Sequence, residues 1–441
     1  MQTKGTAMGT RRGWVSRTSR TGLIGGVLTT LVVLTAASGA WAGPDDQATL
    51  PPVSERARQV HATGLLFDGH NDLPWRLRAE GDFGLTKFDL SQRLDSGQTD
   101  IPRLREGGVK AQFWSVYIPS EHPDPARTVT EQIDLVRRMV ERYHNVFEMA
   151  YSADDVEQIT RKGKIASLIG IEGGVAIENS LAQLRAFYTL GARYMTLTHN
   201  TTLDWADAAN DSPKHDGLTA FGERVVKEMN RLGMLVDISH VSPATMADAL
   251  RVSQAPLIAS HSSAYAICPS PRNVPDDILK EVKKNGGVVM VNLYSGFVVP
   301  ESGKKMRQVR AEILAKYPDR QARSKAMDDW FKSEGAKLAR GTYRDVADHI
   351  DHLVKVAGID HVGIGSDFDG ITMWPVGLDD VSSYPRLTEE LLRRGYSETD
   401  IHKILGGNVL RAFRQAGDVA KRLRATTLPE VDEIKPEKRD G

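Results

Sequence analysis

Eight short apolar runs recur along this chain, and six of them end in a histidine or a carboxylate. The runs are Leu65–Gly69, Lys110–Tyr117, Ile165–Ile171, Tyr194–Thr198, Met234–Ser239, Pro256–Ser260, Gly287–Leu293 and His361–Ser366. Several are continuous, such as Leu235-Val-Asp-Ile-Ser239 and Val288-Val-Met-Val-Asn292. Continuous runs suit parallel strands buried on both faces. Helical patterns lie between them. Thr128–Ala150 carries Ile133, Val136, Met139 and Val140 at helical spacing, and Thr128-Val-Thr-Glu131 reads as a capping box. Leu181–Leu190, Gly222–Leu232, Pro243–Val252, Asp276–Asn285 and Tyr343–Ala357 are the clearer helices. Eight strands alternating with helices predict an α/β fold, a (β/α)8 TIM barrel in a single domain. A doubly wound open sheet is the structural alternative.

A chain of 441 residues can bury a large core without staples. It has one cysteine, so an intramolecular disulfide is excluded, and Cys268 in Ala-Ile-Cys-Pro reads as an inert packed thiol. Basic and acidic residues balance at 57 each, and no nucleic-acid partner is expected. The N-terminus breaks that balance. Lys4, Arg11, Arg12, Arg17 and Arg20 lie in residues 1–42, which contain no acid. An apolar run from Gly22 to Ala37 follows, then Ala40-Trp41-Ala42, a small-x-small cleavage site. Residues 1–42 therefore read as a signal peptide, and Thr10-Arg-Arg-Gly-Trp14 looks like a twin-arginine signal. An ordinary secretory signal and an uncleaved anchor are the alternatives. The expected mature protein has 52 basic and 57 acidic residues, is exported to a periplasm or secreted, and has no stable membrane anchor. Residues 43–58 read as a linker, 59–423 as the barrel domain and 424–441 as a polar tail. Residues 300–340 are charge-rich and lack a strand, which predicts one or two helices inserted between strands seven and eight. They are either a solvated excursion or a cap over the site mouth.

The polar run ends carry the chemistry. They are Asp68-Gly-His70-Asn-Asp72, Gly170-Ile-Glu172, Thr196-Leu-Thr-His199, Asp237-Ile-Ser-His240, Ser260-His261 and Gly365-Ser-Asp367-Phe-Asp369. In a barrel these ends converge on one mouth. His70 and Asp72, two apart in extended chain, reach the same side and suit zinc or a similar divalent ion. Alone, the pair reads equally as a satisfied polar pair. Glu172 closes an apolar strand, and a lone buried carboxylate is costly unless it is paired or bound to a metal. It reads as a metal bridge or as the partner of a barrel arginine. His240 and His261 end consecutive strands about 4.8 Å apart and can share one ion. Together these residues predict two metal sites bridged by Glu172, with a shared hydroxide for hydrolysis of an amide, ester or phosphate bond. His61, His122, His144, His215, His349, His352, His361 and His402 read as structural or surface residues.

Asp68-Gly-His-Asn-Asp-Leu-Pro-Trp75 closely resembles the first signature of the membrane (renal-type) dipeptidases. So do Gln112-Phe-Trp-Ser115, Gly170-Ile-Glu-Gly-Gly174, Leu197-Thr-His199, Asp237-Ile-Ser-His240, Ser260-His-Ser-Ser-Ala264, Arg272-Asn-Val-Pro-Asp276, Gly363-Ile-Gly-Ser-Asp-Phe-Asp-Gly370 and Leu405-Gly-Gly-Asn408, in family order from about 60 to 420. The resemblance implies a bacterial exported member with two zinc ions per chain. His70 and Asp72 would hold one, His240 and His261 the other, and Glu172 would bridge them. It implies that His199 binds near the scissile carbonyl, Arg272 the carboxylate of a dipeptide substrate and Asp367 its amino group. It also implies a homodimer. The proton for the leaving amine would come through Asp367 or Glu172. For Arg272 a surface salt bridge, and for Asp367 a strand-end cap, are the alternatives. The same site acting on N-acyl amino acids, lactones or β-lactams is the rival reading, and a non-catalytic metal-binding barrel is the rival of another class.

Overall fold

The computed structural model describes residues 50–432. The proposed signal peptide lies outside them. Eight parallel strands close a barrel: β1 (Leu66–Asn71), β2 (Val109–Tyr117), β4 (Ile165–Glu172), β5 (Ala192–Thr196), β6 (Leu235–Asp237), β7 (Ile258–Ala259), β8 (Val288–Val291) and β9 (Val362–Ile364). Each pairs with the next around the ring, β2 with β4 and β1 with β9 included. That closure excludes the open sheet. β3 (Phe147–Met149) has no counterpart in the sequence reading and pairs with the first residues of β4, outside the ring.

The strands form here because nearly every residue in them is apolar and buried on both faces, as in β4 and β8. Phe67, Phe113, Leu168, Tyr194, Leu235, Ile258 and Met290 meet in one cluster contributed by seven of the ring strands. Val409 and Phe413 join it from the helix Asn408–Thr426. That helix lies across the N-terminal strand ends: Arg411 bonds the carbonyl of Gly286 before β8, and Arg424 that of Leu232 before β6. The floor is thus sealed and the opposite end is left to chemistry.

Several boundaries differ from the expected ones. The helix expected over Thr128–Ala150 spans Pro125–Arg142. Pro125, whose missing N–H costs nothing at the first helical position, sets its start, so Thr128 is inside the helix and not a cap. The Glu55–Thr63 helix begins inside the span read as linker, capped by Ser54. The tail is docked as far as it is described: Asp432 accepts from Leu181 N–H and Ser180 Oγ, at 2.9 and 3.0 Å. Pro300–Lys316 and Arg320–Ser333 form the two inserted helices between β8 and β9. No helix among the described residues is long and apolar enough to cross a membrane.

Candidate metal centre at the barrel mouth

Each candidate ligand stands at or just beyond a strand's C-terminal end. The register between β1 and β2 slips between Asp68 and Asn71, so one extra residue is fitted at Gly69-His70. Such a bulge re-aims a side chain. Asp72 is not in extended chain: it opens the helix Leu73–Ala79. The two still meet, with His70 Nε2 3.3 Å from Asp72 Oδ2, because of the bulge and turn and not through the two-residue repeat of a strand. The approach needs Gly370, where a Cβ would lie 2.1 Å from Asp72 Oδ2.

Glu172 stands in the middle. Its Oε2 is 3.4 Å from His70 Nε2, and its Oε1 is 3.0 Å from His240 Nε2 and 3.5 Å from His261 Nε2. His240 and His261 bring their Nε2 atoms within 2.9 Å of each other. No arginine pairs with Glu172 among the described residues, so the ion-pair reading of this carboxylate does not hold. Donor atoms of His70, Asp72 and Glu172 lie within 4.8 Å of one another, and so do those of Glu172, His240 and His261. A third such group joins Asp367 to His70 and His261.

These donors fit a cation. His70 Nε2 and His240 Nδ1 are buried with no hydrogen-bond partner. Buried polar atoms are rarely left so. His70 Nδ1 is already engaged by Tyr194 Oη at 2.7 Å, and His261 Nδ1 by Ser260 Oγ at 2.7 Å, which leaves both Nε2 atoms toward Glu172. His240 has a left-handed backbone, φ 67°, and Asp367 has the same value. For residues other than glycine that conformation costs about 1–3 kcal/mol and clusters at functional sites.

The electrostatics follow from burial and crowding. Burial, with Arg272 and His199 nearby, holds His240 well below the usual imidazole range. Burial, with His70 and Arg272 nearby, does the same to His261. For His70, burial is outweighed by Tyr194, Asp72 and Glu172, and its pKa is raised. For Glu172, burial is outweighed by the histidines, and its pKa is lowered. Burial pushes Asp367 up to about 8, helped by Asp72 and Glu172. Burial brings His199 down to about 4, so it is neutral at pH 7.

Two of the three proposed substrate residues are more exposed than the ligand candidates. His199 and Asp367 keep 14% and 13% of their side-chain surface, and Glu172 keeps 6%. His199 Nε2 is 3.8 Å from Glu172 Oε1. Arg272 is not at the surface: it is 1% exposed and forms no ion pair among the described residues. Its Nη1 and Nη2 reach Ser262 Oγ and the His261 carbonyl only at 3.4 Å, Nε has no partner, and the guanidinium lies 5.2 Å from the Phe297 ring centre. Asp367 is no simple strand-end cap: its Oδ2 accepts from Asn292 Nδ2 at 2.8 Å.

Three supporting residues escaped the sequence reading: Ser115, which donates to Glu172 Oε2 at 3.2 Å, Tyr194 and Asn292. Ser115 and Asn292 belong to the two strands that end without a histidine or carboxylate. Polar residues interrupting otherwise apolar strands were the available signal.

The sequence model of the membrane dipeptidase family, peptidase family M19, matches residues 54–427. Mouse (Mus musculus) dipeptidase 3 is 41% identical over 388 residues, covering 86% of this chain and 70% of the mouse protein. Among solved structures, the probable dipeptidase PvdM of Pseudomonas aeruginosa superposes with a TM-score of 0.72 at 27% identity, over 83% of this chain and 98% of that one. A metallopeptidase of Rhodobacter sphaeroides, liganded with a phosphinate mimic of the dipeptide L-Ala-D-Ala, gives a TM-score of 0.64 at 26% identity over 80% and 99%. The chain therefore belongs to the membrane dipeptidase family, peptidase family M19, and is a hydrolase acting on peptide bonds.

Proposed function

We propose that this chain is a binuclear zinc dipeptidase, with one ion on His70 and Asp72, the other on His240 and His261, and Glu172 shared between them. The convergence of these five donors around Glu172 carries the reading. Bound there, the two ions would acidify a water between them to near pH 7 and polarise the scissile carbonyl. The rest falls to the protein. Arg272, a buried guanidinium with no carboxylate partner among the described residues, takes the substrate's terminal carboxylate. Asp367, at the exposed edge of the cluster, takes the free amino group. Clamping both charged ends holds the single peptide bond in place and rejects longer peptides. Neutral His199 donates to the oxygen on which charge develops. The proton for the leaving amine passes through Asp367 or Glu172, both of which reach His70 in the cluster, at 3.9 and 3.4 Å. The dipeptide mimic bound by the Rhodobacter sphaeroides relative supports this substrate class.

Purified protein loaded with zinc, assayed on free and N-acetylated dipeptides, tests the reading. Free dipeptides should turn over and acetylated ones should not. Faster cleavage of acetylated substrate would favour the N-acyl amino acid reading and remove Asp367 from its role. Export is part of the same proposal, supported by the basic, apolar and small-residue pattern of residues 1–42. Mass analysis of the mature protein should find Gly43 at its N-terminus; an intact Met1 would refute cleavage.

A further inference from the structure

Two buried aspartates, Asp68 and Asp237, have no part in the chemistry above. Both are fully buried. Each receives four hydrogen bonds, and the two sets match atom for atom. Oδ1 of Asp68 accepts from the His70 and Ser366 N–H groups at 3.2 and 2.8 Å, and Oδ2 from Ser366 Oγ and Tyr384 Oη, each at 2.7 Å. Oδ1 of Asp237 accepts from the Ser239 and Ser260 N–H groups at 3.0 and 2.8 Å, and Oδ2 from Ser260 Oγ and Thr196 Oγ1 at 2.6 and 2.5 Å. In both, the carboxylate binds the N–H two residues on, then the N–H and hydroxyl of a serine on the neighbouring strand end. In both, the residue after that serine belongs to the mouth: Asp367 follows Ser366, and His261 follows Ser260.

We propose that Asp68 and Asp237 are a duplicated pair of positioning residues, each setting the ligands of one ion; this rests on the two-ion reading above. Asp68 joins the ends of β1 and β9 and so fixes His70 and Asp72 against Asp367. The backbone continues that lacing, from Asp367 N–H to the His70 carbonyl and from Asp72 N–H to the Phe368 carbonyl. Asp237 joins β6 to β7, and through Thr196 to β5, and so fixes His240 against His261. It has a second lever. Ser260 gives its hydroxyl proton to Asp237, so its lone pairs face His261 Nδ1. The Nδ1 of His261 must then carry the proton, which leaves Nε2 bare for a cation. Asp68 has no such route, because Tyr194 holds Nδ1 of His70.

Asn substitutions separate these roles. An amide keeps one acceptor oxygen for the two N–H groups but presents a donor to the two hydroxyls. Zinc calorimetry and metal analysis would be run on the full mature chain, with circular dichroism as a check on folding. Wild-type protein should bind two ions. D237N should bind one ion as wild type does and the other about 10–100-fold more weakly, the loss typical of a disturbed ligand partner. D68N should spare the site that D237N weakens and weaken the other by less. In a His240→Ala background, which removes the second site, D237N should add nothing while D68N still should. Equal losses at both sites, or wild-type binding in both variants, would overturn the proposal. If D237N fails to fold, S260A decides the matter: it should weaken the second site alone, and full two-ion affinity would refute the relay. A wild-type chain that binds no second ion would instead defeat the two-ion reading itself.

Discussion

The barrel mouth and the helical layer around it both bury histidines, but they treat them in opposite ways. His61 and His349, in the layer, have both ring nitrogens bonded. His61 meets Thr388 Oγ1 and the Gly107 carbonyl, each at 2.8 Å, and His349 accepts from Ala264 N–H and meets the Val298 carbonyl, each at 2.9 Å. At the mouth, His70 and His240 instead turn Nε2 toward other candidate ligands: His70 lies 3.3 Å from Asp72 Oδ2 and 3.4 Å from Glu172 Oε2, and His240 lies 3.0 Å from Glu172 Oε1. An imidazole bonded to hydroxyl, amide and carbonyl groups serves structure; one turned toward carboxylates and other imidazoles is a candidate ligand. Burial by itself separates nothing.

Glu172→Gln would break the comparison at its centre. It removes the negative charge shared by both histidine groups, and activity should fall by about 10³-fold or more, with loss of bound zinc in metal analysis. Dialysis against a chelator should do the same to the wild type and be reversed by zinc. Arg272→Lys keeps the charge and loses the fork, so kcat/KM on dipeptides should drop by about 10–100-fold, with the folded state intact by circular dichroism. His349→Ala should show the reverse pattern: about 2–4 kcal/mol of stability lost in urea denaturation, with zinc stoichiometry unchanged at low temperature.

Acid should sharpen the contrast further. Burial brings both His61 and His349 down to about 4. The unfolded chain protonates these groups at about 6.5, so it gains protons first as pH falls. Their contribution is therefore complete above about pH 6.5 and is lost progressively toward pH 4. Urea midpoints of the metal-free protein should decline across that window, and less so in His349→Gln. The smallest effect belongs to the inserted helix Arg320–Ser333, where Lys325 pairs with Asp329 near the surface. Lys325→Ala should change stability by no more than about 0.5 kcal/mol and leave kcat/KM alone.

The barrel was legible in the sequence because its strands are mostly apolar runs and its ligand candidates stand at or just beyond their C-terminal ends. Helices Leu181–Leu190, Pro243–Val252, Asp276–Asn285 and Tyr343–Ala357 have the expected bounds, since glycine, proline or serine punctuates them. β3 was hidden by its three residues, absorbed into a helix that continued too far. The docking of Asp432 was hidden because an acid near the end of a polar segment looks solvated. The ligand candidates could be named because histidines and carboxylates are rare in apolar strands. Ser115, Tyr194 and Asn292 could not, since their bonds join residues 57, 124 and 75 positions apart and hydroxyls or amides alone carry no such address.

Asp68 and Ser366 touch across 298 positions, and β1 takes β9 as its neighbour. A growing polypeptide therefore cannot shut the ring until almost all of it has been made. Contacts this remote form late and slowly. The lacing of His70 to Asp367 is then among the last steps of folding: a fragment stopping short of residue 366 would have His70 but neither Ser366 nor Asp367 to fix it against the last strand.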